Sequence, residues 1–325
     1  MSQSTLWRQS TKREIQQYYN EEFEPYIDRF PDWITPNGPK QYALAFRENH
    51  PTKHPKRDPP DRDFVRRHTR NKYPPNQVFI HDWDKILDFL RHPASKDPMT
   101  IDTGNKGLVH PDTANKPDPA PAAAYYALDN WDRFWVLAFD IDAKDVAKQA
   151  IAGDDQTFED VTDEQVENSG IINMPPEPHF LPPEDSTGTA NGDGNVAQYK
   201  YRFEDIERTL ELAFDLKEWL VDKVEFPEVR VFYSGQGAHI YALEDDPKYK
   251  FTYQTRRFLT TYIHERLNIP VDDAVTWDRN RVMRLPYSLH TDVSRVVTEI
   301  ESPDFDFRND TQPAFLTGNQ PKSDH

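Results

Sequence analysis

Apolar residues recur at helical spacing in four segments of the chain, residues 11–23, 83–91, 203–224 and 253–267. The first helix should begin at Thr11, because Thr11 and Glu14 have the spacing of a capping box. We therefore expect four helices, each with one face in the core. The expected core positions are Ile15, Tyr18, Tyr19, Phe23, Ile86, Leu87, Leu90, Ile206, Leu210, Ala213, Leu220, Val224, Phe258, Leu259, Tyr262 and Ile263.

Three shorter apolar runs, over residues 134–142, 229–233 and 240–243, are typical of buried strands. The first ends abruptly in carboxylates, and the other two are joined by a glycine-containing turn. Helices alternate with these strands, and no internal repeat is present. The pattern predicts a core of the α/β or α+β class.

Four segments lack this periodicity. Residues 49–76 are rich in proline and charge and are expected to form a basic, extended excursion, and residues 93–121 form another proline-rich loop. Residues 151–199 are acidic, with glycine and proline towards their end, and are interpreted as a partly disordered insertion. Residues 302–325 are expected to be an irregular tail. The whole chain, 1–325, is interpreted as one domain with these excursions.

The net charge of −17 argues against a nucleic-acid partner unless the acidity reflects adaptation to molar salt, as in halophiles. In molar salt the Debye length falls to about 3 Å, so only local charge matters. Basic residues are densest between Lys53 and Lys72. This stretch is either a solvated loop or a contact to template phosphates.

The chain has no cysteine, which excludes disulfides and thiolate zinc sites. Hard cations such as Mg²⁺ or Mn²⁺ suit the remaining oxygen and imidazole ligands. No run approaches the roughly 20 apolar residues of a membrane helix, and the N-terminus lacks a signal-peptide pattern. The sequence therefore predicts a cytoplasmic protein without a membrane partner.

Asp140 and Asp142 end the first predicted strand with one residue between them. Side chains alternate along a strand, so both carboxylates should project from the same face. Two adjacent carboxylates repel each other, and a divalent cation between them relieves that repulsion. An acidic strand end exposed to solvent would carry the same pattern, and so would glycosyltransferases, nucleases and phosphatases.

Residues 233–239 combine Ser234, Gly235, Gly237 and His239 in one turn. The glycines allow a tight turn that exposes successive backbone N–H groups, an arrangement that suits a triphosphate. An ordinary hairpin turn with a structural histidine has the same composition. Residues 275–290 then add Asp278, several arginines and a histidine, which could equally form a surface ion-pair cluster.

Taken in order, these three segments resemble the small catalytic subunit of archaeal DNA primases, in the archaeo-eukaryotic primase superfamily. The shared motifs are the Asp-Ile-Asp strand end within 139–145, the Ser-Gly-x-Gly-x-His turn over 234–239, and the segment from Asp278 to Leu-His at 289–290. The resemblance implies a primase catalytic core with an RRM-like sheet unit. It extends weakly over most of the chain and is specific in about forty residues.

By this resemblance, Asp140, Asp142 and Asp278 would hold two Mg²⁺ or Mn²⁺ ions for nucleotidyl transfer. The implied activity is template-directed primer synthesis or extension from nucleoside triphosphates on single-stranded DNA, with a large primase subunit as a possible partner in replication. The residues implied to contact or brace the triphosphate are Ser234, Gly235, Gly237, His239, Arg281, Arg284 and His290.

The sequence departs from the family pattern in several places. Gln236 stands where the family commonly has arginine or lysine, and Asp292 where it has lysine. The zinc knob that usually follows the Asp-Ile-Asp strand is absent from this cysteine-free chain, so no zinc is expected, and the helical insertion after the second motif is missing too. These departures indicate a plasmid, viral or accessory primase-polymerase, or a trimmed paralogue.

Two other functions remain open. The chain could be a non-catalytic nucleic-acid-binding or complex-organising subunit that keeps the primase fold. It could also be a nucleotide-sugar transferase or phosphodiesterase that uses Asp140 and Asp142. Neither a nucleotide-sugar transferase nor a phosphodiesterase needs the glycine turn or the Arg-Leu-Pro-x-x-Leu-His segment over 284–290.

Overall fold

The computed structural model describes residues 10, 12–31, 42–47, 120–127, 135–152, 158–162, 164–165, 201–244, 251–277, 282–291 and 293–317. The excursion over 49–76, the helix expected over 83–91 and most of the acidic insertion lie outside these residues.

The described residues form an α+β fold, as the sequence predicts. Its helices are α1 (Lys12–Gln17), α2 (Ala143–Ala152), α3 (Phe203–Asp222), α4 (Tyr253–Tyr262), α5 (Asp273–Trp277) and α6 (Ala314–Thr317). Its strands are β1 (Tyr42–Arg47), β2 (Ala120–Ala127), β3 (Trp135–Asp142), β4 (Glu228–Tyr233), β5 (Gly237–Glu244), β6 (Val282–Arg284), β7 (Leu289–His290), β8 (Arg295–Val296) and β9 (Thr298–Ile300). None of the described helices combines the length and the apolar character needed to cross a membrane.

The main sheet has four antiparallel strands in the order β3-β5-β4-β9. Strands β3, β4, β5 and β9 and the helices between them follow a β-α-β-β-α-β order along the chain. A smaller sheet pairs β2 with β1 on one side and with β6 on the other, and β7 pairs with β8.

The two faces of the main sheet bury different clusters. One face, with Leu137, Phe139 and Ile141 of β3, packs against the apolar side of α3. The opposite face, with Ala138, Phe232 and Tyr241, packs against the N-terminal segment and against residues 283–297. This strict alternation follows from the two-residue period of a strand. Asp140 and His239 belong to the second face.

The N-terminal segment begins with α1 and continues as a π-helical turn, Tyr18–Glu22, and a 3₁₀ helix, Glu24–Arg29. Its predicted core residues are confirmed, since Ile15, Tyr18, Tyr19 and Phe23 are all buried. The Tyr18 hydroxyl donates a hydrogen bond to the Tyr287 carbonyl at 2.6 Å. The proposed cap Thr11 lies outside the described residues.

Helices α3 and α4 confirm two predicted helices, with two errors in the buried face of α4. Phe258 and Tyr262 were expected in the core, yet their side chains are 69% and 38% exposed. The inward face of α4 instead passes through Thr260, and Ile263 follows it into the core in a π-helical turn, Ile263–Leu267. Phe258 lies on the other side of the helix, because the apolar residues of this segment occupy more than one face.

Three regions are more ordered than their sequence suggests. Helix α2 runs to Ala152, and a 3₁₀ turn, Phe158–Asp160, precedes the buried Val161, all at the start of the acidic insertion. The tail after residue 301 buries Phe307 and Thr311, and its last described residues form α6. Strand β2, rich in alanine, has no polar alternation from which a strand could be predicted.

Candidate functional site

The carboxylate pair lies at the end of β3, beside the turn between β4 and β5. Asp140 pairs with His239 and Asp142 pairs with Gly237 across the antiparallel β3-β5 ladder. Both aspartates therefore project from the same face of the sheet, as the strand period predicts. The Oδ1 atom of Asp140 is buried and has no hydrogen-bond partner among the described residues. His239 Nε2 lies 3.6 Å from this oxygen.

Negative charge accumulates around Asp140. Burial, then the carboxylates of Asp142 and Asp272, raise the pKa of Asp140 well above its ordinary value. Burial and Asp142 likewise raise the pKa of Asp145, on the first turn of α2, to about 6. Four acidic side chains thus share one small region, which favours a bound cation.

Lys144 provides a cation for this region within the chain itself. Its Nζ lies 2.7 Å from Asp142 Oδ2, and more than half of its side chain is exposed. Burial works against the charged ammonium, but the carboxylate of Asp142 outweighs it and raises the lysine pKa. One oxygen of Asp142 is therefore occupied by Lys144, whereas the buried oxygen of Asp140 is not.

The glycine turn packs tightly against the aspartate strand. Ala143 N–H donates to the Gln236 carbonyl at 3.0 Å, and Ser234 N–H donates to the Gly237 carbonyl at 2.9 Å. A Cβ added at Gly237 would lie 2.1 Å from the Ile141 carbonyl oxygen. Only glycine allows this approach of β5 to β3. The motif glycine is thus required by the packing around Asp142.

Gly235 touches the third motif directly. It has φ of +108°, and a Cβ at this position would lie 2.4 Å from His290 Cδ2. The Arg284 guanidinium lies 3.2 Å from His290 Nε2. Arginine can only donate, so His290 Nε2 accepts and its proton resides on Nδ1. The second and third motifs therefore meet at one wall of the site.

Both histidines are neutral. Burial and the charge of Arg284 lower the pKa of His239 to about 3. The same two causes, with His239 as a third, lower the pKa of His290 well below its ordinary value. His239 Nδ1 also shares a hydrogen bond with the Tyr241 hydroxyl at 3.3 Å. Each imidazole can offer at most one N–H donor at neutral pH but no positive charge, which leaves Arg284 as the cation of this wall.

The residues that precede Asp278 in the sequence are hydrogen-bonded to the backbone of β3. Asp272 N–H donates to the Asp140 carbonyl at 2.8 Å, and the Thr276 hydroxyl donates to the Ala138 carbonyl at 2.8 Å. Asp272 directly precedes α5, and Thr276 lies within it. Asp278 and Arg281 themselves, and Asp292, lie outside the described residues.

Comparison with known proteins adds one relative. An uncharacterized DNA primase small subunit-like protein of Archaeoglobus fulgidus is 35% identical over 105 residues. This chain is primase-like in that region. The aligned region covers 31% of this chain and 36% of the relative, so the chain spans about a third of the length of the protein it matches. No protein-family model matches the chain.

The donors at the end of β3 fit a hard divalent cation. Asp140 and Asp142 lie on one face, and one Asp140 oxygen is buried without a hydrogen-bond partner among the described residues. Carboxylate oxygens are the ligands that Mg²⁺ and Mn²⁺ prefer. The part of the chain that is described contains no group of three side chains arranged to hold an ion. A complete site would therefore need a further ligand, and Asp278 is the candidate that the motif supplies.

Sequence reasoning missed three charged residues that shape the site, Lys144, Asp145 and Asp272. Lys144 and Asp145 directly follow the aspartate pair in the first turn of α2, so their closeness to Asp142 could have been expected from the sequence. Asp272 caps α5, with its Oδ1 accepting from Ala274 N–H at 2.8 Å. Its position beside Asp140 depends on a contact between distant segments, which no local pattern reveals.

Proposed function

We propose that this chain catalyses template-directed nucleotidyl transfer, extending or synthesising primers on single-stranded DNA from nucleoside triphosphates. The observation that supports this best is the convergence of three chain segments. The end of β3 pairs with the glycine turn, and the glycine turn packs on His290 beside Arg284. A carboxylate pair, a glycine turn with backbone N–H groups and an arginine are the parts that phosphoryl transfer requires.

Two Mg²⁺ or Mn²⁺ ions bound by Asp140, Asp142 and Asp278 would activate the attacking 3′-hydroxyl and neutralise the charge of the leaving pyrophosphate. The chain's own groups would orient the nucleotide. Ser234 and the N–H groups of Gly235 and Gly237 suit phosphate oxygens. Arg284 fixes His290 and offers positive charge, and Arg281 is the further cation proposed from the motif.

A non-catalytic nucleic-acid-binding or complex-organising subunit is the second candidate. Its support is the charge of the site: Gln236 and Asp292 replace two cations of the family motif, and Lys144 already binds Asp142. Fewer cations leave less binding energy for a triphosphate. The carboxylates of Asp142 and Asp272 around the buried carboxyl of Asp140 favour the catalytic candidate, because a purely structural subunit gains nothing from gathering side chains that repel one another.

One incorporation assay separates the candidates. The protein is incubated with labelled ribonucleotides or deoxyribonucleotides, Mn²⁺ and a primed single-stranded template, in dilute buffer and in molar potassium salt. The salt series also tests the proposed adaptation of this acidic chain to high salt. Product ladders that vanish in Asp142→Asn support catalysis. Template binding without incorporation under every condition supports the second candidate, and hydrolysis without a template contradicts both.

Initiation should be weaker than extension. Unprimed synthesis must position a second nucleotide without help from a duplex, and this entropic cost falls on the protein. With Gln236 and Asp292 in place of cations, we expect the isolated chain to extend primers but to start them poorly until a large primase subunit is added. Unprimed dinucleotide synthesis at the rate of extension would contradict this expectation.

A further inference from the structure

Tyr233, the last residue of β4, connects the hydrophobic core to the glycine turn. Its side chain is fully buried on the α3 side of the sheet, with ring centroids 5.6 Å from Phe307 and 6.4 Å from Phe305. Its hydroxyl donates to the carbonyl of Gly235, two residues later, at 2.6 Å. Burial raises the pKa of this phenol well above its ordinary value, against the opposing charge of Arg295, so the hydroxyl remains a donor throughout the working pH range.

This hydrogen bond determines the direction of a peptide group. A trans peptide is planar, and its C=O and N–H point to opposite sides. Because Tyr233 holds the Gly235 carbonyl towards the core, the N–H of Gln236 is turned away from the core. The sheet face opposite Tyr233 carries Asp140 and His239, and His290 packs on Gly235 beside it.

The turn needs such a constraint, because glycine loses more conformational freedom on folding than other residues. Gly235 adopts a φ of +108°, with the His290 ring against the place where a Cβ would be. His290 restricts the turn from the site side, and the Tyr233 hydroxyl restricts it from the core side. An N–H donor held in place before a ligand arrives binds more tightly than one that must first be ordered.

We propose that Tyr233 is a positioning residue for triphosphate binding, which holds the Gln236 N–H towards a phosphate oxygen of the nucleotide. This inference rests on the proposed function, and it concerns a residue that the motif does not include. Tyr233 itself touches no ligand, since its ring is buried among Phe305 and Phe307 on the other side of the sheet.

The chain offers a matched control for the test. Tyr18 is also fully buried, and its hydroxyl donates to a backbone carbonyl, that of Tyr287, at the same 2.6 Å. Tyr18→Phe and Tyr233→Phe each remove one buried hydroxyl of this kind. We expect similar decreases in thermal stability, since each variant loses one hydrogen bond. Only Tyr233→Phe should weaken the binding of inorganic tripolyphosphate in titration calorimetry, by roughly tenfold, the effect of one lost charge-assisted hydrogen bond.

Kinetics give a second readout. Loss of a contact made equally in the ground and transition states raises KM and leaves kcat unchanged. Tyr233→Phe should therefore raise the nucleotide KM about tenfold with kcat within twofold, and Tyr18→Phe should change neither. A Tyr233→Phe affinity for tripolyphosphate within twofold of the wild type overturns the role of Tyr233 while leaving the proposed function intact. A wild-type chain that binds no tripolyphosphate and incorporates no nucleotide overturns both.

A measurement on the wild-type protein covers the case in which Tyr233→Phe fails to fold. Hydrogen exchange of the segment 234–238 is followed with and without tripolyphosphate. A bound phosphate should slow exchange of the Gln236 amide by at least several-fold, whereas exchange in α3 stays unchanged. Equal exchange of the Gln236 amide with and without saturating tripolyphosphate would show that this N–H does not face the ligand.

Discussion

Asp140 at the end of β3 and Glu22 at the end of the N-terminal π-helical turn have the same unusual feature. Each buries one carboxylate oxygen that has no hydrogen-bond partner among the described residues, and burial is the largest cause that raises the pKa of each. Their surroundings differ. The second oxygen of Glu22 accepts the Ala314 N–H at 2.6 Å, at the start of α6. Asp140 instead faces the carboxylates of Asp142 and Asp272.

The difference shows what distinguishes a candidate site from a structural contact. Burial and an unpartnered oxygen occur in both regions, so neither feature alone indicates chemistry. Glu22 joins the N-terminal segment to the tail, and the backbone amides of Ala314 and Phe315 lower its pKa against the effect of burial. Around Asp140 like charges accumulate, and a bound cation relieves their repulsion. Accumulated like charge on one sheet face is therefore the more specific signal.

The largest expected effect comes from neutralising these carboxylates one at a time. Asp140→Asn and Asp142→Asn should each lower nucleotide incorporation by at least several hundredfold, because metal ligands act as a unit, and the double variant should lose little more. Glu22→Gln should leave incorporation within about twofold. Incorporation is measured on a primed template with Mn²⁺, and thermal melts check that each variant folds.

Asp140→Asn should also be at least as stable as the wild type without metal, because an amide replaces a carboxylate that neighbouring charges destabilise. Asp215→Asn, on the exposed side of α3, is the control for a general effect of charge. Appreciable incorporation by Asp140→Asn would remove this residue from the site. The same test on Asp278→Ala would decide whether that residue belongs to it.

A second way to break the site acts through the backbone beside Asp142. In Gly237→Ala the new Cβ would lie 2.1 Å from the Ile141 carbonyl, so β5 must move away from β3. Overpacking of this kind costs about 1–3 kcal/mol of unfolding free energy, occasionally more. Urea unfolding should show this loss together with lower incorporation. Wild-type stability and activity in Gly237→Ala would mean that the two strands lie further apart than described.

Much of this architecture could be predicted because it depends on short-range periodicity. The alternation in β3 placed Asp140 and Asp142 on one face, and the helical spacing of Ile206, Leu210 and Ala213 predicted the buried side of α3. Strands with alanine-rich sequences, such as β2, carry no such signal. The core prediction for Phe258 was wrong because an exposed aromatic residue in a helix has the same apolar character as a core residue.

The site itself was only half predictable. The motifs indicated which segments belong together, but not that Gly235 would pack on His290, nor that burial would leave both histidines uncharged. Those facts depend on contacts between segments distant in sequence, such as Gly235 with His290 and His239 with Arg284. The position of Asp272 beside Asp140 has the same origin. Prediction failed where the electrostatics of the site depend on tertiary packing.

A smaller effect concerns the cation that the chain supplies to the site. Lys144 binds Asp142 at 2.7 Å and would compete with a metal ion for the same carboxylate. Lys144→Met removes this competition and leaves the site more negative. An ion pair this exposed contributes at most about 1 kcal/mol, so Mn²⁺ affinity should rise by roughly three- to fivefold. Titration calorimetry with Mn²⁺ alone, on the wild type and on Lys144→Met, measures this change in affinity.

Lys217→Met, on α3, is the matched control for loss of a lysine and should leave Mn²⁺ affinity unchanged, because Lys217 lies over the Phe214 ring rather than beside the carboxylate pair. Weaker Mn²⁺ binding by Lys144→Met would show that the ammonium supports the metal site instead of competing with it.

The smallest expected effect is the pH dependence of folding stability that comes from Glu22, the structural contact in the comparison with Asp140. Burial raises the pKa of Glu22 in the folded chain above its ordinary value of 4.5. A group whose folded pKa is raised stabilises the fold while it is protonated, and this contribution is lost as pH rises through the folded pKa. Relative to the wild type, Glu22→Gln should therefore become more stable as pH increases above about 4.5, by less than about 1 kcal/mol because Glu22 is partly exposed.

Urea unfolding of the two proteins at a series of pH values and constant salt measures this difference, and subtraction cancels the many other carboxylates that titrate in the same range. In Glu22→Gln the side-chain amide oxygen can still accept the Ala314 N–H, so the contact with α6 is retained. A wild type that gains stability over Glu22→Gln as pH rises would have the opposite sign. It would mean that the amides of Ala314 and Phe315 lower the pKa of Glu22 by more than burial raises it, so that Glu22 is an ionised cap of α6. Glu22 would then differ even more from Asp140, whose pKa the neighbouring carboxylates raise.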